Sequence, residues 1–588
     1  MAGWWRRGSF VAVVAFPFAF LAAFVVYPLW QEVWGSFASW YQLKPQGFAG
    51  THNYAVLFDD ILVPVSSLHT AFYLLLTVPI EVFGGLVAAW LTLRARRLQG
   101  LLAVVFLVPL VVPWTVAGEL FYGLFNLHGV VDQLSQDVFG SGAHFEWFFH
   151  PRLAFGVIVL LGVWKGAPWC YLLLLGALSG CPDDVFEAAR IDGARGTAFW
   201  WRVVIPAVRP MFVLVIVLRL IAEAQTYDSV AMLTNGGPGF PGATELVGFY
   251  ANIVAFSYQN FGEASALGTL VGAVLVGIAA GGWALTRRRN WWRRRYLAVP
   301  WHHRAFARLS GGSAAWREAR HRARAPKPGA LGRRGWLVRA LSSSPARWAT
   351  LAVMAVAVLV PFAGEEPSWL GRYEFAGTFW PAIKTGLWNT LILSGATLLG
   401  TFALAVPAAY LLAFKRFRLR PAMFGFILFT LAIPGIIFIY PQFEEIVWMG
   451  LVNTRTGIAC LYIATNLPLA VFFLRPAFAG VPTPLLEAMR VDGASSLGIL
   501  RRLVLRYSAS TMIALGVLIV VWVWGEEPIA LAVLSPTNQS AFTLPLLLAQ
   551  GQLGNPNAVY LLSIAFPLVL FLATQRFFRR GLVSATLL

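Results

Sequence analysis

Charge is scarce in this sequence: 12% of its 588 residues are Asp, Glu, Lys or Arg, against 58% hydrophobic. A soluble chain of this length needs far more polar surface, so the composition excludes a soluble globular protein and requires lipid as a solvent. Cysteine is nearly absent as well. Cys170, Cys181 and Cys460 are an odd, scattered set with no CxxC, which excludes a disulfide framework and a thiolate metal site and leaves small apolar packing roles. The chain has no GxxxxGK[ST] loop to cradle phosphates, no HExxH pair and no GxSxG elbow, and all eight histidines precede residue 322. A nucleotide-hydrolysing or triad-bearing enzyme is therefore not expected, and no metal or cofactor site is predicted in this chain.

Acidic residues are also few, 26 against 45 Lys and Arg, for a net charge of +19. The excess is concentrated: Arg287 to Arg347 holds 16 Arg, one Lys and one Glu. Basic residues are retained on the cytoplasmic side of membranes, so this reads as an orientation signal and a solvated basic linker against anionic headgroups, not as a nucleic-acid site.

Long apolar runs are what the chain has in place of charge. In the first half they fall near Phe10 to Trp30, Ala71 to Leu93, Leu101 to Phe125, Leu153 to Leu178, Met211 to Leu233 and Ala264 to Thr286. A signal peptide is the alternative for the first run, but its length favours an uncleaved span. TNGGPGFPGAT, Thr234 to Thr244, packs four Gly and two Pro into eleven residues and cannot be helix. The second half repeats the plan near Ala349 to Phe362, Leu387 to Phe414, Pro421 to Phe443, Gly457 to Ala479, Thr511 to Trp524 and Ala558 to Thr574. Counting spans from a cytoplasmic amino terminus places every strong basic cluster inside. The expectation is an all-α integral membrane protein of two homologous six-helix bundles, about twelve helices. It divides into residues 1–286, a linker at 287–347 and residues 348–588, with both termini cytoplasmic.

Two polar segments carry the internal repeat. Glu187 to Pro210 and Glu487 to Ser510 align at an offset of 300, through Glu187 and Glu487, Asp192 and Asp492, Gly193 and Gly493, and Ala194 and Ala494. Each reads as a short helix ended by a glycine at positive φ, and Pro206 is expected to break the helix that follows the first. One such segment could be an interfacial linker helix; two in register, on the same predicted side, argue for a docking role.

The pattern Glu187, Ala188, Ala189, Gly193, Val203, Ile205 and Pro206 resembles the cytoplasmic signature of permease subunits in binding-protein-dependent ABC importers. The second copy matches at Glu487, Ala488 and Gly493 but has Met489 for the third residue and Arg506 in place of the proline. The resemblance implies coupling segments at 182–210 and 482–510, with Asp192 and Asp492 among their residues. Each would dock on one of two copies of an ABC ATPase subunit that holds ATP and Mg. IDGA and VDGA resemble the carbohydrate branch. LTNGGPG and FGEASALGTL resemble the first subunit of maltose, trehalose and glycerol-phosphate importers. LPLAVFFLRPAFAGVP and WVWGEE resemble the second, which usually carries Asn where this chain has Gly525. Those subunits are normally separate chains; here they are fused. A bacterial inner-membrane location and an extracytoplasmic solute-binding protein are further implications.

Polar groups inside apolar runs are functional candidates by default. Arg219, Glu223 and Thr226 share one helix face at i, i+4 and i+7, and Trp164, Lys165 and Trp169 lie in the preceding span. Aromatic planes beside carboxylates suit a sugar, although Arg219 and Glu223 could equally form a buried structural bridge. By resemblance the substrate positions are Trp164, Lys165, Gly166, Trp169, Arg219, Ala222, Glu223 and Thr226. Glu81 and Glu119 read as packing or helix-end groups, Arg475 as a snorkelling cation, and Glu526 and Glu527 as diverging neighbours. The alternatives are a permease for another solute (glycerol-phosphate, iron or thiamine), an ion-coupled secondary transporter, or a membrane enzyme acting on a lipid-linked sugar.

Overall fold

A computed structural model describes residues 15–288 and 373–574 and Phe577, apart from 42–43, 96–98, 128, 141–144, 182, 240–241, 416, 433–438, 535–538, 551–559 and 561–562. Almost all of the expected linker, and the run from Ala349 to Phe362, lie outside the described residues.

The first half contains α1 (Ala15–Gly35), the hairpin strands β1 (Ala38–Tyr41) and β2 (Lys44–Phe48), α2 (His52–Asp59), α3 (Leu62–Arg94), α4 (Gln99–Val111), α5 (Trp114–Phe125) and α6 (Val130–Phe139). It continues with α7 (Pro151–Ser179), α8 (Asp183–Ile191), α9 (Gly196–Ala224), α10 (Asp228–Leu233), α11 (Val247–Ser257) and α12 (Phe261–Arg288). The second half contains α13 (Tyr373–Phe414), α14 (Arg420–Ala432), α15 (Ile439–Trp448), α16 (Arg455–Ala479), α17 (Thr483–Val491), α18 (Ser496–Tyr507), α19 (Ala509–Gly525), α20 (Pro528–Val533), α21 (Leu544–Ala549) and α22 (Ser563–Thr574). Among the described residues, seven helices are long and apolar enough to cross a membrane, or nine if each bent pair is one span.

Helices dominate because a chain in lipid must satisfy its backbone polar groups internally. The side chains obey the same rule: along α3, Thr70, Thr77 and Thr92 each turn their hydroxyl back onto the carbonyl four residues earlier, at 2.7, 2.7 and 2.9 Å. The core of each half is a long helix pair, α3 against α7 and α13 against α16. A shared anchor shows their equivalence. Thr70 Oγ1 accepts from the Val247 amide at 2.9 Å, and Thr390 Oγ1 accepts from the Leu544 amide at 2.9 Å.

The halves hold each other through the start of the first and the beginning of α12. Gln442 donates to the Phe24 carbonyl at 3.1 Å, and Tyr440 stacks on Phe261 at 4.0 Å and meets Trp40 edge-on at 5.4 Å.

Three sequence expectations change. The run from Leu101 to Phe125 is two helices at 111°, broken at Val112 and Pro113. The proline has no amide hydrogen for the Pro109 carbonyl, and the Lys165 ammonium supplies the missing donor at 3.1 Å while also donating to Val112. The fifth run ends its helix at Ala224, not Leu233, and restarts at Asp228. The second half breaks at the same offset of 300, between Gly525 and Pro528. Finally, Pro206 does not break its helix. A π turn at Trp200–Val204 precedes it and α9 runs on to Ala224, because proline at the start of the α-helical stretch gives up a hydrogen bond that the change of register has already displaced. The second copy, without that proline, keeps the π turn at Leu500–Val504, yet α18 and α19 meet at 75° after Ser508.

Candidate functional site

Two constellations stand out, one inside the first bundle and one repeated on its polar edge. Inside, α9 presents Arg219, Glu223 and, just past its end, Thr226. Arg219 Nε and Nη2 donate to the two carboxylate oxygens of Glu81 at 2.7 and 3.1 Å, and Nη2 also donates to Glu223. Glu223 accepts further from the Tyr73 hydroxyl at 2.6 Å and from Thr226 at 3.2 Å. The side chains of Glu81, Glu223 and Arg219 are 0%, 4% and 11% exposed. Gly166 completes the arrangement: a Cβ there would collide with both the Glu81 carboxylate and the Arg219 guanidinium. The Arg219–Glu223 bridge is therefore one edge of a network that joins α3 to α9 and that α7 approaches through Gly166; Arg219 is its centre, and Glu81, read from the sequence as a packing or helix-end group, is its second carboxylate.

The other predicted substrate positions separate from this network. Lys165 is turned toward the break between α4 and α5 and lies 4.9 Å from the Trp114 ring centroid. Trp164 packs on Phe121 at 5.6 Å, Trp169 is half-buried, and Ala222 is exposed. Tyr73 and Glu81 were missed at the sequence level although a signal existed. Tyr73, Thr77 and Glu81 recur every fourth residue in the middle of α3, which puts them on one face.

Where the halves face each other, the breaks after α9 and α19 bring Asp228 near Glu526 and Glu527. Glu526 caps α20, accepting from the amides of Ile529 and Ala530 at 2.6 and 3.3 Å and from the Tyr462 hydroxyl at 2.5 Å. One oxygen of the neighbouring Glu527 is buried with no hydrogen-bond partner.

On the polar edge, α8 and α17 end identically. Gly193 and Gly493 have φ of +79° and +74°. The amides of Ala194 and Ala494 reach back to the carbonyls of Ala189 and Met489 at 2.9 and 3.0 Å. Glu187, Ala188, Asp192 and Gly193 are exposed in the first copy, as are Glu487, Ala488, Asp492 and Gly493 in the second, while Ala189 is half-buried. Beside them Ile191 and Val491 are 86% and 87% exposed, apolar tips that the sequence reading did not single out.

Comparison with known proteins accounts for the repeat. Residues 81–285 and 402–584 each match the family of binding-protein-dependent transport system inner membrane components. The chain belongs to that family. It is a multi-pass inner-membrane protein and the permease part of an ABC importer, carrying two copies of the permease unit. Among its relatives, the sulfoquinovosyl glycerol transport system permease protein SmoG of Agrobacterium fabrum is 31% identical over 42% of this chain and 80% of SmoG. The trehalose/maltose permease MalF of Thermococcus litoralis is 29% identical over 41% of this chain and 79% of its own length. The maltose/maltodextrin permease MalF of Vibrio parahaemolyticus is 31% identical over 39% of this chain, which spans about half of that relative. Among solved structures, a bacterial ABC transporter involved in import of the acidic polysaccharide alginate aligns with 49% of this chain and 98% of its own, at 15% identity and a TM-score of 0.43.

Proposed function

We propose that this chain forms the whole membrane pathway of an ATP-driven sugar importer, taking its sugar from an extracytoplasmic solute-binding protein and moving it by alternating access between the two halves. The observation that carries the reading is the pair of exposed helix-and-glycine segments at 182–210 and 482–510, offset by 300 residues and alike in geometry. Each is assigned one copy of an ATPase subunit, on which ATP and Mg reside, with Glu187, Ala188, Ala189, Asp192, Gly193 and Pro206, and Glu487, Ala488, Asp492 and Gly493, in or beside the contact. Both segments then face the cytoplasm, as do both termini. Sugar-transport relatives at about 30% identity over one permease unit support the substrate class.

Within the pathway the substrate reading rests on the network of Arg219, Glu81, Glu223 and Thr226. Buried ions are retained in membrane spans where they serve a pathway, and two carboxylates around one guanidinium leave acceptor capacity for sugar hydroxyls once the halves part. Trp164, Trp169, Lys165, Gly166 and Ala222 frame the same pathway; Lys165 does so by holding the bend between α4 and α5.

The test is reconstitution of the chain in proteoliposomes with and without an ATPase subunit and a binding protein. Sugar uptake that requires both partners and ATP supports the importer reading. Uptake by the chain alone under an ion gradient identifies a secondary transporter instead.

A further inference from the structure

At the first docking segment, Trp90, Arg94, Arg195, Gly196, Phe199 and Trp200 line an open cavity of about 440 Å³. That volume lies within the roughly 300–1,000 Å³ typical of small-molecule sites. Its floor is aromatic: Trp90 is in ring contact with Phe199 at 5.3 Å and with Trp200 at 5.7 Å. Its rim is cationic. The Arg94 guanidinium lies over the Trp90 ring at 4.4 Å, Arg195 is exposed, and among the described residues no acidic side chain lines the cavity.

We propose that this cavity binds the phosphate headgroup of an anionic phospholipid. Three features of the site favour that ligand. Arg94 closes α3, whose preceding apolar run is long enough to cross a bilayer, so the guanidinium sits at the depth where acyl chains give way to headgroups. Tryptophan bodies are suited to that interface, and arginine pairs suit phosphate through planar bidentate donation. Basic pockets between spans on the cytoplasmic side are the general form of headgroup recognition. A free phosphate would use the guanidinium rim but gain nothing from the aromatic floor.

The second half supplies an internal contrast. By the Thr70 and Thr390 equivalence, Trp90 corresponds to Tyr410 and Arg94 to Phe414; by the repeat offset, Arg195 corresponds to Ser495 and Gly196 to Ser496. There the Tyr410 hydroxyl turns onto the Ser496 carbonyl at 3.5 Å, and its ring packs on Phe414 at 5.1 Å. Neither Arg94 nor Arg195 has a basic counterpart at the matched position, and the Tyr410 hydroxyl is engaged by the chain itself. The site therefore belongs to one docking segment only, where a bound lipid would brace the loop between α8 and α9.

The experiment is native mass spectrometry of the purified full chain, titrated in detergent with phosphatidylglycerol, with phosphatidylcholine and with glycerol phosphate. The wild type is expected to retain phosphatidylglycerol over the other two. Arg94→Gln and Arg195→Gln should each weaken that retention about fivefold, the effect of one basic side chain at an anionic surface. Arg501→Gln together with Arg502→Gln removes twice as much charge from the second copy and should leave retention unchanged. Arg94→Lys, which keeps the charge, should lose part of the preference because lysine is a point donor. The proposal is overturned by equal retention in the cavity variants, by an equal loss in the control pair, or by glycerol phosphate displacing the lipid at equal concentration.

Discussion

The two halves share a scaffold but not an interior. The glycine turns after α8 and α17, the π turns at Trp200–Val204 and Leu500–Val504, and the breaks after α9 and α19 recur at one offset. The ionic network does not. Where the first half has Arg219 and Glu223, the second has Ile519 and Val523, both fully buried; where it has Tyr73 and Glu81, the second has Leu393 and Thr401. On the importer reading proposed above, backbone features that would pass motion between a docked ATPase and the spans are needed twice, whereas a recognition site is needed once.

The sharpest way to break this comparison is Arg219→Ala. It strands two buried carboxylates and should destabilise the first half by about 3–5 kcal/mol, the cost of removing one partner from a buried pair. Thermal unfolding in detergent reads it. Adding Glu81→Gln and Glu223→Gln should restore much of the loss without restoring uptake; restored uptake would reassign the network to scaffold.

Glu223→Gln alone keeps the shape while removing a charge-assisted acceptor. A loss of about 1.5–3 kcal/mol, or 10- to 100-fold in uptake, is expected with assembly intact. Val523→Ala, at the matched position, should lower stability without changing which sugar is preferred. Measuring uptake of several sugars by both variants checks the division.

Gly193→Ala and Gly493→Ala should have equal, smaller effects of about 1–2 kcal/mol, since each forces a Cβ into left-handed backbone. ATPase stimulation by the chain is the readout, and a large inequality between the two would show that the docking segments are not equivalent.

The smallest effect concerns pH. Glu245, in the loop before α11, has its pKa raised by burial and then by Asp60, whereas Phe542 holds the corresponding place in the second half by the Thr70 and Thr390 anchor. A carboxyl raised in the folded state binds its proton more tightly there, so its contribution favours the fold at low pH and fades as pH rises above the ordinary glutamate value. Glu245→Gln should flatten that slope in melting temperatures taken from pH 4 upward, and an unchanged slope would show that the glutamate is not its source.

Much of this was legible in the sequence because it is local or repeated. The apolar runs, the non-helical TNGGPG stretch and the glycine turns follow from solvent and backbone sterics alone. The break after α9 was not legible. No proline or glycine marks Gln225 to Tyr227, and the helix stops there in a tight turn, with Gln225 bonding back to Ile221 at 2.6 Å. Nor was the role of Lys165, since a lysine in an apolar span looks the same whether it meets a substrate or an orphaned carbonyl. Glu81 was misread because its partner lies 138 residues away.

The sequence by itself determined that the chain lives in lipid, that it has two homologous units, and that each carries one exposed helix-and-glycine segment, since these depend on composition, period and register. Only the tertiary structure decided that Glu81 and Tyr73 join Arg219 and Glu223, that Lys165 holds a helix bend, and that a cationic cavity opens beside the first of the two segments. Those facts depend on which helix faces meet, and in a bilayer that choice is made by packing and by pairing of buried polar groups, not by hydrophobicity that every span shares.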